Sequence, residues 1–345
     1  MGNRDTGIRT PRPQPLLQIK NLDVSYHVPG GRIQAVAGIN LQVSKGDTLG
    51  LVGESGCGKS TTAMAILRLI KPPGYIERGE ILLKDQDVLA LPLEEMRQIR
   101  GRQLALIPQG AMNSLSPVTK IREQLMDGII THRSGTKREA IERVETALDM
   151  VGLPNRVLNM YPHELSGGMK QRVCIAMAIS LNPELIIADE PTSALDVVAQ
   201  RVVSQTLVEV KEKLGSTLIT IGHDMGLMAQ MANRIAIMYA GRIVEVGPIS
   251  SVYAEPLHPY TRLLIVSVPS IHEKRELRGI PGLPPSLLEP PAGCVFNPRC
   301  PEATPLCRSR KPVLQEMEPG HFAACHLLGK TEGTMFEKEA PDYSH

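Results

Sequence analysis

Residues 53–60 have the residue types and the spacing of a phosphate-binding loop. Their sequence, GESGCGKS, fits the pattern G-x-x-x-x-G-K-[ST]. Glycines in such a loop let backbone N–H groups turn towards phosphate oxygens, and the helix that follows adds the positive end of its dipole. Lys59 would neutralise the β- and γ-phosphates, and the Ser60 hydroxyl would coordinate Mg²⁺. The motif predicts that the chain binds a nucleoside triphosphate.

Two adjacent carboxylates, Asp189 and Glu190, follow an apolar segment at residues 185–188. A parallel sheet holds its ligands at the carboxyl ends of its strands, so both side chains are expected beside the phosphate loop. Asp189 suits holding Mg²⁺ through water, and Glu190 suits orienting or deprotonating an attacking water. The pair favours hydrolysis over phosphoryl transfer to an organic acceptor; the alternative is a solvated Asp-Glu pair that starts a helix.

Residues 165–172, LSGGMKQR, precede an apolar segment at residues 173–181 with helical character. Ser166 is a good N-cap, and the two glycines after it expose backbone N–H groups at a helix start. This is a second anion site in the same chain. One nucleotide bound in one phosphate loop cannot use both anion sites of the same chain without a second protein.

At this stretch the chain resembles the ATP-binding subunits of ABC transporters, whose signature residues 165–172 match. Other marks of the family are Gln109 after Pro108, the sequence SALD at residues 193–196, and His223 in IGHD. The resemblance covers about residues 16–250. It implies an α/β fold, the ABC-type nucleotide-binding domain of P-loop NTPases, with a parallel sheet core, an antiparallel β layer and a helical signature subdomain at about residues 110–180.

In that family two such domains pair head to tail, and each ATP lies between the phosphate loop of one and the signature of the other. By resemblance, Tyr26 stacks on adenine and the phosphates bind to Gly53, Glu54, Ser55, Gly56, Cys57, Gly58, Lys59, Ser60 and Thr61. The partner's ATP meets Ser166, Gly167, Gly168 and Gln171. The resemblance assigns catalysis to Glu190, His223 and Gln109. It assigns Mg²⁺ binding to Ser60, Gln109 and Asp189, and it assigns the coupling of the two ATP sites to Asp196. Taken singly, Tyr26, Gln109 and His223 also fit ordinary packing or loop positions, and Cys57 and Cys174 are interpreted as small packed residues.

A narrower resemblance is to the dipeptide/oligopeptide importer group. It rests on Glu54 and on the sequences YPHE at 161–164, HPYT at 258–261 and GCVFNPRCP at 293–301. It implies an ATPase at the cytoplasmic face of the membrane, a second ATPase subunit in a heterodimer, two membrane permease subunits and an extracytoplasmic solute-binding protein. Gly110 departs from the Asp that many members carry there, in the loop where residues 112–117 would dock on the permease.

Other functions remain as alternatives. The solute could be an oligosaccharide or a nickel chelate instead of a peptide. A soluble ABC ATPase acting on nucleic acid or ribosomes is disfavoured, because about 105 residues separate Ser60 from Ser166, they contain no heptads, and the chain has one set of motifs. A phosphate-loop kinase is disfavoured by the signature and His223, and a degenerate regulatory subunit by the intact Lys59, Asp189 and Glu190.

Four cysteines near the C-terminus, Cys294, Cys300, Cys307 and Cys325, have the spacing C-x5-C-x6-C-x17-C. The short C-x2-C knuckles of structural zinc sites are missing. A proline-rich loop with four thiols suits a [4Fe-4S] cluster, which related peptide-importer ATPases are understood to hold there. Zinc and reduced structural cysteines are the alternatives.

The elements that must position these residues can be outlined from apolar patterning. Alternation over residues 16–43, broken at Pro29, predicts short antiparallel strands. Residues 48–52 predict a compact apolar strand, and residues 185–188 and 217–221 have both faces apolar, which is typical of buried parallel strands. Helical spacing at residues 63–70 and 139–151, the second stopped by Gly152, predicts two helices. Residues 235–246 predict a closing hairpin.

Composition sets the outer limits. The chain has 345 residues with 42% hydrophobic residues and a net charge of +2, which disfavours a disordered chain or one that holds nucleic acid by bulk charge. The segment at residues 1–15 has no apolar core of a secretory signal, and the protein is expected to remain inside the cell. Half of the 28 prolines lie between Pro248 and Pro319. We therefore expect flexible tails at residues 1–15 and 331–345, an ATPase domain at 16–250 and a small irregular C-terminal extension at 251–330.

Overall fold

The computed structural model describes residues 15–132, 136–267 and 279–328. The expected C-terminal tail, residues 331–345, lies outside the described residues. Of the expected N-terminal tail, residues 1–14 also lie outside them, and Pro15 is the first residue of a strand. The β-strands are β1 (Pro15–Val28), β2 (Gly31–Ser44), β3 (Thr48–Val52), β4 (Gly74–Leu83), β5 (Gln86–Asp87), β6 (Leu104–Ile107), β7 (Leu185–Asp189), β8 (Thr217–Gly222), β9 (Arg234–Tyr239), β10 (Arg242–Pro248), β11 (Gln315–Glu318) and β12 (His321–Ala323).

The α-helices vary from five to eighteen residues. They are α1 (Lys59–Ile66), α2 (Leu93–Arg102), α3 (Ile121–Thr131), α4 (Lys137–Met150), α5 (Gly167–Ile179), α6 (Val197–Leu214), α7 (Met225–Met231), α8 (Ile249–Ala254), α9 (Pro259–Val266) and α10 (Pro305–Ser309). No helix within these described stretches combines the length and the apolarity needed to span a bilayer.

The antiparallel layer expected near the N-terminus is present as a four-stranded sheet in the order β2-β1-β4-β5. Strands β1 and β2 have 14 residues each, longer than the short strands expected, and they turn at Pro29 and Gly30. Gly30 has a φ of 96°, a conformation that costs glycine little. The side chains of Leu17, Ile19 and Leu22 are fully buried on this layer.

The central sheet has eight strands in the order β11-β12-β10-β9-β3-β8-β7-β6. Strands β9, β3, β8, β7 and β6 are parallel neighbours, and β10 closes an antiparallel hairpin with β9, as expected. Every residue of β3, β7 and β8 is buried, which follows from their apolar faces. The buried parallel strands predicted from the sequence are confirmed.

Helix α1, which follows the phosphate loop, is shorter than the helical spacing predicted. It ends at Ile66, and Leu67 is its C-cap. Arg68 has a φ of 49°, outside the right-handed helical region, and its guanidinium donates to the carbonyl of Val88 at 3.1 Å. The chain therefore leaves the helix before Ile70.

A helical region lies between β6 and β7. It contains α3, α4 and α5, whose apolar faces share one core cluster with residues of β7 and α6. Helix α4 starts with a capping box between Thr136 and Glu139 and stops before Gly152, whose φ is 66°. The stop is where the sequence predicted it, but the capping box was not predicted.

The C-terminal segment is joined to the central sheet. Strand β12 pairs antiparallel with β10, so residues beyond 250 extend the sheet that the ATP motifs share. Tyr260 and Phe296 pack with Tyr239 of β9 in one buried cluster. Glu245, which is fully buried, accepts a hydrogen bond from the backbone N–H of His258 at 2.8 Å and lies 2.8 Å from Nε2 of His321. The segment has a common core with the rest of the chain.

Candidate active site

Four parallel strands end at the same edge of the central sheet, and each is followed by residues predicted to act on a nucleotide. The phosphate loop follows β3, Gln109 follows β6, Glu190 follows β7 and His223 follows β8. Strands β3, β8, β7 and β6 are consecutive neighbours in the sheet. Parallel strands present their carboxyl ends on one side, and this topology brings the four segments together.

The phosphate loop is packed tightly against its own scaffold. A Cβ on Gly58, whose φ is 107°, would lie 2.2 Å from the carbonyl oxygen of Ala35. Ser55 and Gly56 are exposed at the tip of the loop. Lys59 is buried, and its Nζ donates to the carbonyls of Gly53 at 2.7 Å and Glu54 at 3.0 Å. The Lys59 ammonium thus lies inside the loop and is hydrogen-bonded to the backbone of its first two residues.

Asp189 and Ser60 form a small polar group beside this loop. Oδ1 of Asp189 is buried and has no hydrogen-bond partner among the described residues. Burial raises the pKa of Asp189, and the nearby Ser60 hydroxyl and Lys59 ammonium oppose that rise. A buried carboxylate oxygen without a partner is costly unless a cation or ordered water completes it. The residues present fit a Mg²⁺ site.

Glu190 is the meeting point of the predicted catalytic residues. Nε2 of Gln109 donates to Oε2 of Glu190 at 2.8 Å, and Nδ1 of His223 lies 3.9 Å from the other carboxylate oxygen. The Glu190 side chain is only 19% exposed, whereas that of His223 is 71% exposed. The structure therefore places an amide and an imidazole close to the two oxygens of one carboxylate.

The backbone of Glu190 is held in a conformation that non-glycine residues rarely adopt. Its φ is 46°, and its N–H donates to the carbonyl of Ile221 on β8 at 3.0 Å. The Ser193 hydroxyl donates to the Glu190 carbonyl at 2.9 Å. Such strain persists where surrounding contacts determine it, and it occurs often at functional sites.

The signature residues lie on a separate surface. Ser166 is the N-cap of α5, as predicted, and accepts from the backbone N–H of Met169 at 3.3 Å. Ser166, Gly167, Gly168 and Asp196 border one open cavity of about 460 Å³. Gln171, expected to reach the partner's nucleotide, is 3% exposed and is not among the residues that border this cavity.

Tyr26 was expected to stack on adenine. In the structure it is half-buried on β1, opposite Gly74 of β4, and a Cβ on Gly74 would lie 2.5 Å from the tyrosine ring. One face of the ring therefore packs closely over this glycine. The stacking role itself stays a prediction.

Contacts from the C-terminal segment to the phosphate loop were not predicted. The guanidinium of Arg299 pairs with the carboxylate of Glu54, and the Tyr260 hydroxyl accepts from the Glu54 backbone N–H at 3.1 Å. The hydrogen bonds to Glu54 raise the pKa of Arg299 above its usual range. Tyr260 lies in HPYT and Arg299 lies in GCVFNPRCP, two of the sequences that carry the narrower resemblance. The spacing of residues within these motifs does not indicate a contact with a residue more than 200 positions away.

All six cysteines are free thiols. Cys57 and Cys174 are buried, as expected of packed residues, and burial raises the pKa of Cys174 to about 12. Burial raises the pKa of Cys325 to about 11, and the charges of Cys294, Cys300 and Cys307 add to this rise. The backbone N–H of Cys294 donates to the carbonyl of Cys307 at 2.8 Å, and both residues belong to a buried cluster against which Cys300 packs. Even so, in the described parts of the chain no group of three or more His, Cys, Asp or Glu side chains is arranged to hold a metal ion.

Comparison with known protein families gives two matches. The model described as "ABC transporter" matches residues 36–193, and the model described as "Oligopeptide/dipeptide transporter, C-terminal region" matches residues 244–307.

Individual relatives and solved structures agree with these matches. The chain is 44% identical over 320 residues to the "Probable peptide ABC transporter ATP-binding protein y4tR" of Sinorhizobium fredii, covering 91% of this chain and 96% of the relative. It is 42% identical to the "Oligopeptide transport ATP-binding protein OppD" of Bacillus subtilis, covering 91% and 89%. A solved structure of the ATP-binding cassette MJ0796, a dimer bound to ADP and Pi, superposes with a TM-score of 0.61 at 29% identity, covering 68% of this chain and 98% of that one.

Proposed function

Because the chain belongs to the ATP-binding proteins of the oligopeptide/dipeptide ABC transporters, we propose that it hydrolyses ATP to drive import of di- or oligopeptides through separate membrane subunits. The observation that carries the ATPase function is the convergence on Glu190. A carboxylate that accepts from Gln109 and faces His223, beside a phosphate loop, suits activation of a water for attack on the terminal phosphate.

The steps follow from the side chains. Backbone N–H groups of the loop and the Lys59 ammonium hold the β- and γ-phosphates. Glu190 accepts a proton from the attacking water or orients it, and Gln109 fixes the direction of the carboxylate. His223, more exposed than Glu190, contacts the γ-phosphate from the neighbouring strand end. Mg²⁺, held by Ser60 and Asp189 with Gln109 nearby, would neutralise charge on the phosphate oxygens.

The test is the variant Glu190→Gln in the assembled transporter. Loss of the general base should lower ATP turnover by about 10²–10⁴-fold, while equilibrium binding of ATP to the chain persists. Glu209→Gln, an exposed glutamate of α6, is the matched control and should turn over ATP normally. Unchanged hydrolysis in Glu190→Gln would remove Glu190 from the mechanism.

We further propose that the active unit is a pair of ATPase subunits, with a related second subunit as partner. The support is that the signature surface of this chain, with Ser166, Gly167, Gly168 and Asp196, is open and includes the first residues of α5. Head-to-tail pairing would place a second nucleotide against it. Cross-linking of the two subunits that depends on ATP would test this arrangement.

Two membrane permease subunits and an extracytoplasmic solute-binding protein complete the proposed complex at the cytoplasmic face of the membrane. Residues 112–117, which include the half-exposed Met112 and the exposed Asn113, are the proposed docking surface. If the transported solute is not a peptide, the roles proposed for the ATP-binding and catalytic residues stay the same. Uptake of labelled peptides by cells with and without the chain distinguishes these solutes.

A separate and narrower proposal concerns a [4Fe-4S] cluster on Cys294, Cys300, Cys307 and Cys325. Its support is the chemistry of the four thiols, of which Cys294, Cys300 and Cys307 lie in the segment that matches the peptide-transporter model and Cys325 lies beyond it. The thiols as they stand in the described structure form no ready metal-binding group, so they would have to close around a cluster. Iron and sulfide analysis of anaerobically purified protein tests it, and an iron-free sample that retains zinc would refute it.

A further inference from the structure

A salt bridge joins the C-terminal segment to the phosphate loop. Nη1 of Arg299 donates to Oε2 of Glu54 at 2.7 Å, and Nη2 donates to Oε1 at 3.0 Å. The two parallel bonds form the bidentate geometry in which arginine and carboxylate interact most strongly. The Arg299 side chain is 4% exposed and that of Glu54 is 25% exposed, so water screens the pair only weakly.

Arg299 is also fixed by contacts other than Glu54. Its Nε donates to the carbonyl of Pro281 at 2.8 Å, and Nη2 donates to that of Ile280 at 3.2 Å. Nη1 donates to the Tyr239 hydroxyl at 3.1 Å. These contacts hold the Arg299 guanidinium in position independently of its pairing with Glu54.

Glu54 is an unusual neighbour for a triphosphate because it is an acid within the phosphate loop. Its backbone carbonyl already accepts from Lys59, the residue proposed to meet the phosphates. An unpaired carboxylate at this position would repel the phosphate charges, and repulsion is strong where water is partly excluded. Pairing with Arg299 turns the side chain towards the C-terminal segment and cancels its charge.

We propose that Arg299 is a positioning residue of the nucleotide site, which neutralises Glu54 and holds the phosphate loop in the form that accepts ATP. The proposal rests on the proposed function, since it assumes that the loop binds ATP. It makes the C-terminal segment part of the nucleotide site, although this segment contains none of the ATP motifs. The Tyr260 hydroxyl, which accepts from the Glu54 N–H, holds the backbone of the same residue.

The experiment measures the Kd for Mg-ATP of the purified full-length chain and its variants. Arg299→Gln removes the positive charge and should weaken binding about tenfold, which corresponds to about 1.4 kcal/mol. In the double variant Glu54→Gln/Arg299→Gln no carboxylate is left unpaired. We expect this variant to bind Mg-ATP at least about fivefold more tightly than Arg299→Gln. The weakening in Arg299→Gln should also shrink as salt is raised, because the repulsion is electrostatic.

Controls separate this role from a purely structural one. Arg262→Gln breaks an arginine–glutamate pair with Glu302 in the same segment, at 2.9 Å and about half-exposed, and should leave the ATP affinity unchanged. Urea unfolding shows which variants remain folded. Arg299→Gln that binds ATP normally, or a double variant that is no better than Arg299→Gln, would overturn the proposal. Failure of the unmodified chain to bind ATP would instead overturn the proposed function on which it stands.

Discussion

Nε2 of Gln109 donates a hydrogen bond of 2.8 Å to Oε2 of Glu190, although 81 residues separate them. The two residues follow β6 and β7, which are adjacent parallel strands. A residue that follows one strand thereby orients the carboxylate that follows the next.

Substitution of Gln109 tests this relationship. Gln109→Ala removes a hydrogen bond to a charged group, worth about 1.5–3 kcal/mol, and should lower kcat by about 10- to 100-fold. Gln109→Glu places a second carboxylate against Glu190, which raises the pKa of the pair and should lower kcat further. Both are measured as phosphate release at saturating ATP. A Gln109→Glu variant faster than Gln109→Ala would contradict the assigned contact.

The phosphate loop offers a test of close packing. Gly56 and Gly58 both have positive φ, 77° and 107°, but a Cβ added to Gly58 would lie 2.2 Å from a backbone oxygen, whereas one added to Gly56 would face open space. Alanine at either site brings left-handed strain of about 1–2 kcal/mol. Gly58→Ala should lose about 1–3 kcal/mol more in the free energy of unfolding because its surroundings must shift. Urea unfolding without nucleotide measures the difference, and equal losses would argue against this packing.

His258 should make stability depend on pH. Burial lowers its pKa to about 4, with Arg262 acting in the same direction and Glu245 opposing it. The unfolded chain takes up a proton below about pH 6.5, while the folded chain does so only near pH 4. The stability that neutral His258 contributes is therefore complete above about pH 6.5 and is lost as the pH falls towards 4.

The control for this pH effect is His258→Asn. An asparagine oxygen can accept the Tyr260 N–H that Nδ1 of His258 accepts at 3.0 Å, but it does not titrate. We expect the midpoint of urea unfolding to fall less steeply for His258→Asn than for the unmodified chain between pH 6.5 and 4. Identical slopes would show that His258 is not the group responsible.

Ser166 carries two separable roles. Ser166→Ala removes the N-cap acceptor of α5 and should lower stability by about 1 kcal/mol, whereas Ser166→Asn retains a capping oxygen and should lower it little. If the hydroxyl also contacts the partner's nucleotide, both variants should lower ATP turnover of the assembled complex. Normal turnover in Ser166→Asn would limit Ser166 to the cap.

The amino-acid sequence alone predicted the ATP motifs, their order, the buried parallel strands and the N-cap at Ser166. These features are local: loop glycines, capping side chains and runs of apolar residues have meanings that depend on their immediate neighbours along the chain. The inference of a parallel sheet also placed Asp189 and Glu190 at the carboxyl ends of its strands, whereas the role of His223 came from the family resemblance.

Only the tertiary structure decided which distant residues touch. The end of α1 depends on the conformation of Arg68, and the burial of Gln171 depends on packing of the helical region. Arg299 pairs with Glu54, which lies 245 positions earlier in the chain. Near Arg299, the ring of Phe296 packs against Tyr239 of β9, and farther along the chain β12 pairs with β10. Such contacts are set by sheet order and side-chain packing, which no local pattern encodes. The C-terminal segment, in which the sequence showed an excess of proline, four cysteines and two family motifs, therefore proves to be a neighbour of the ATP site.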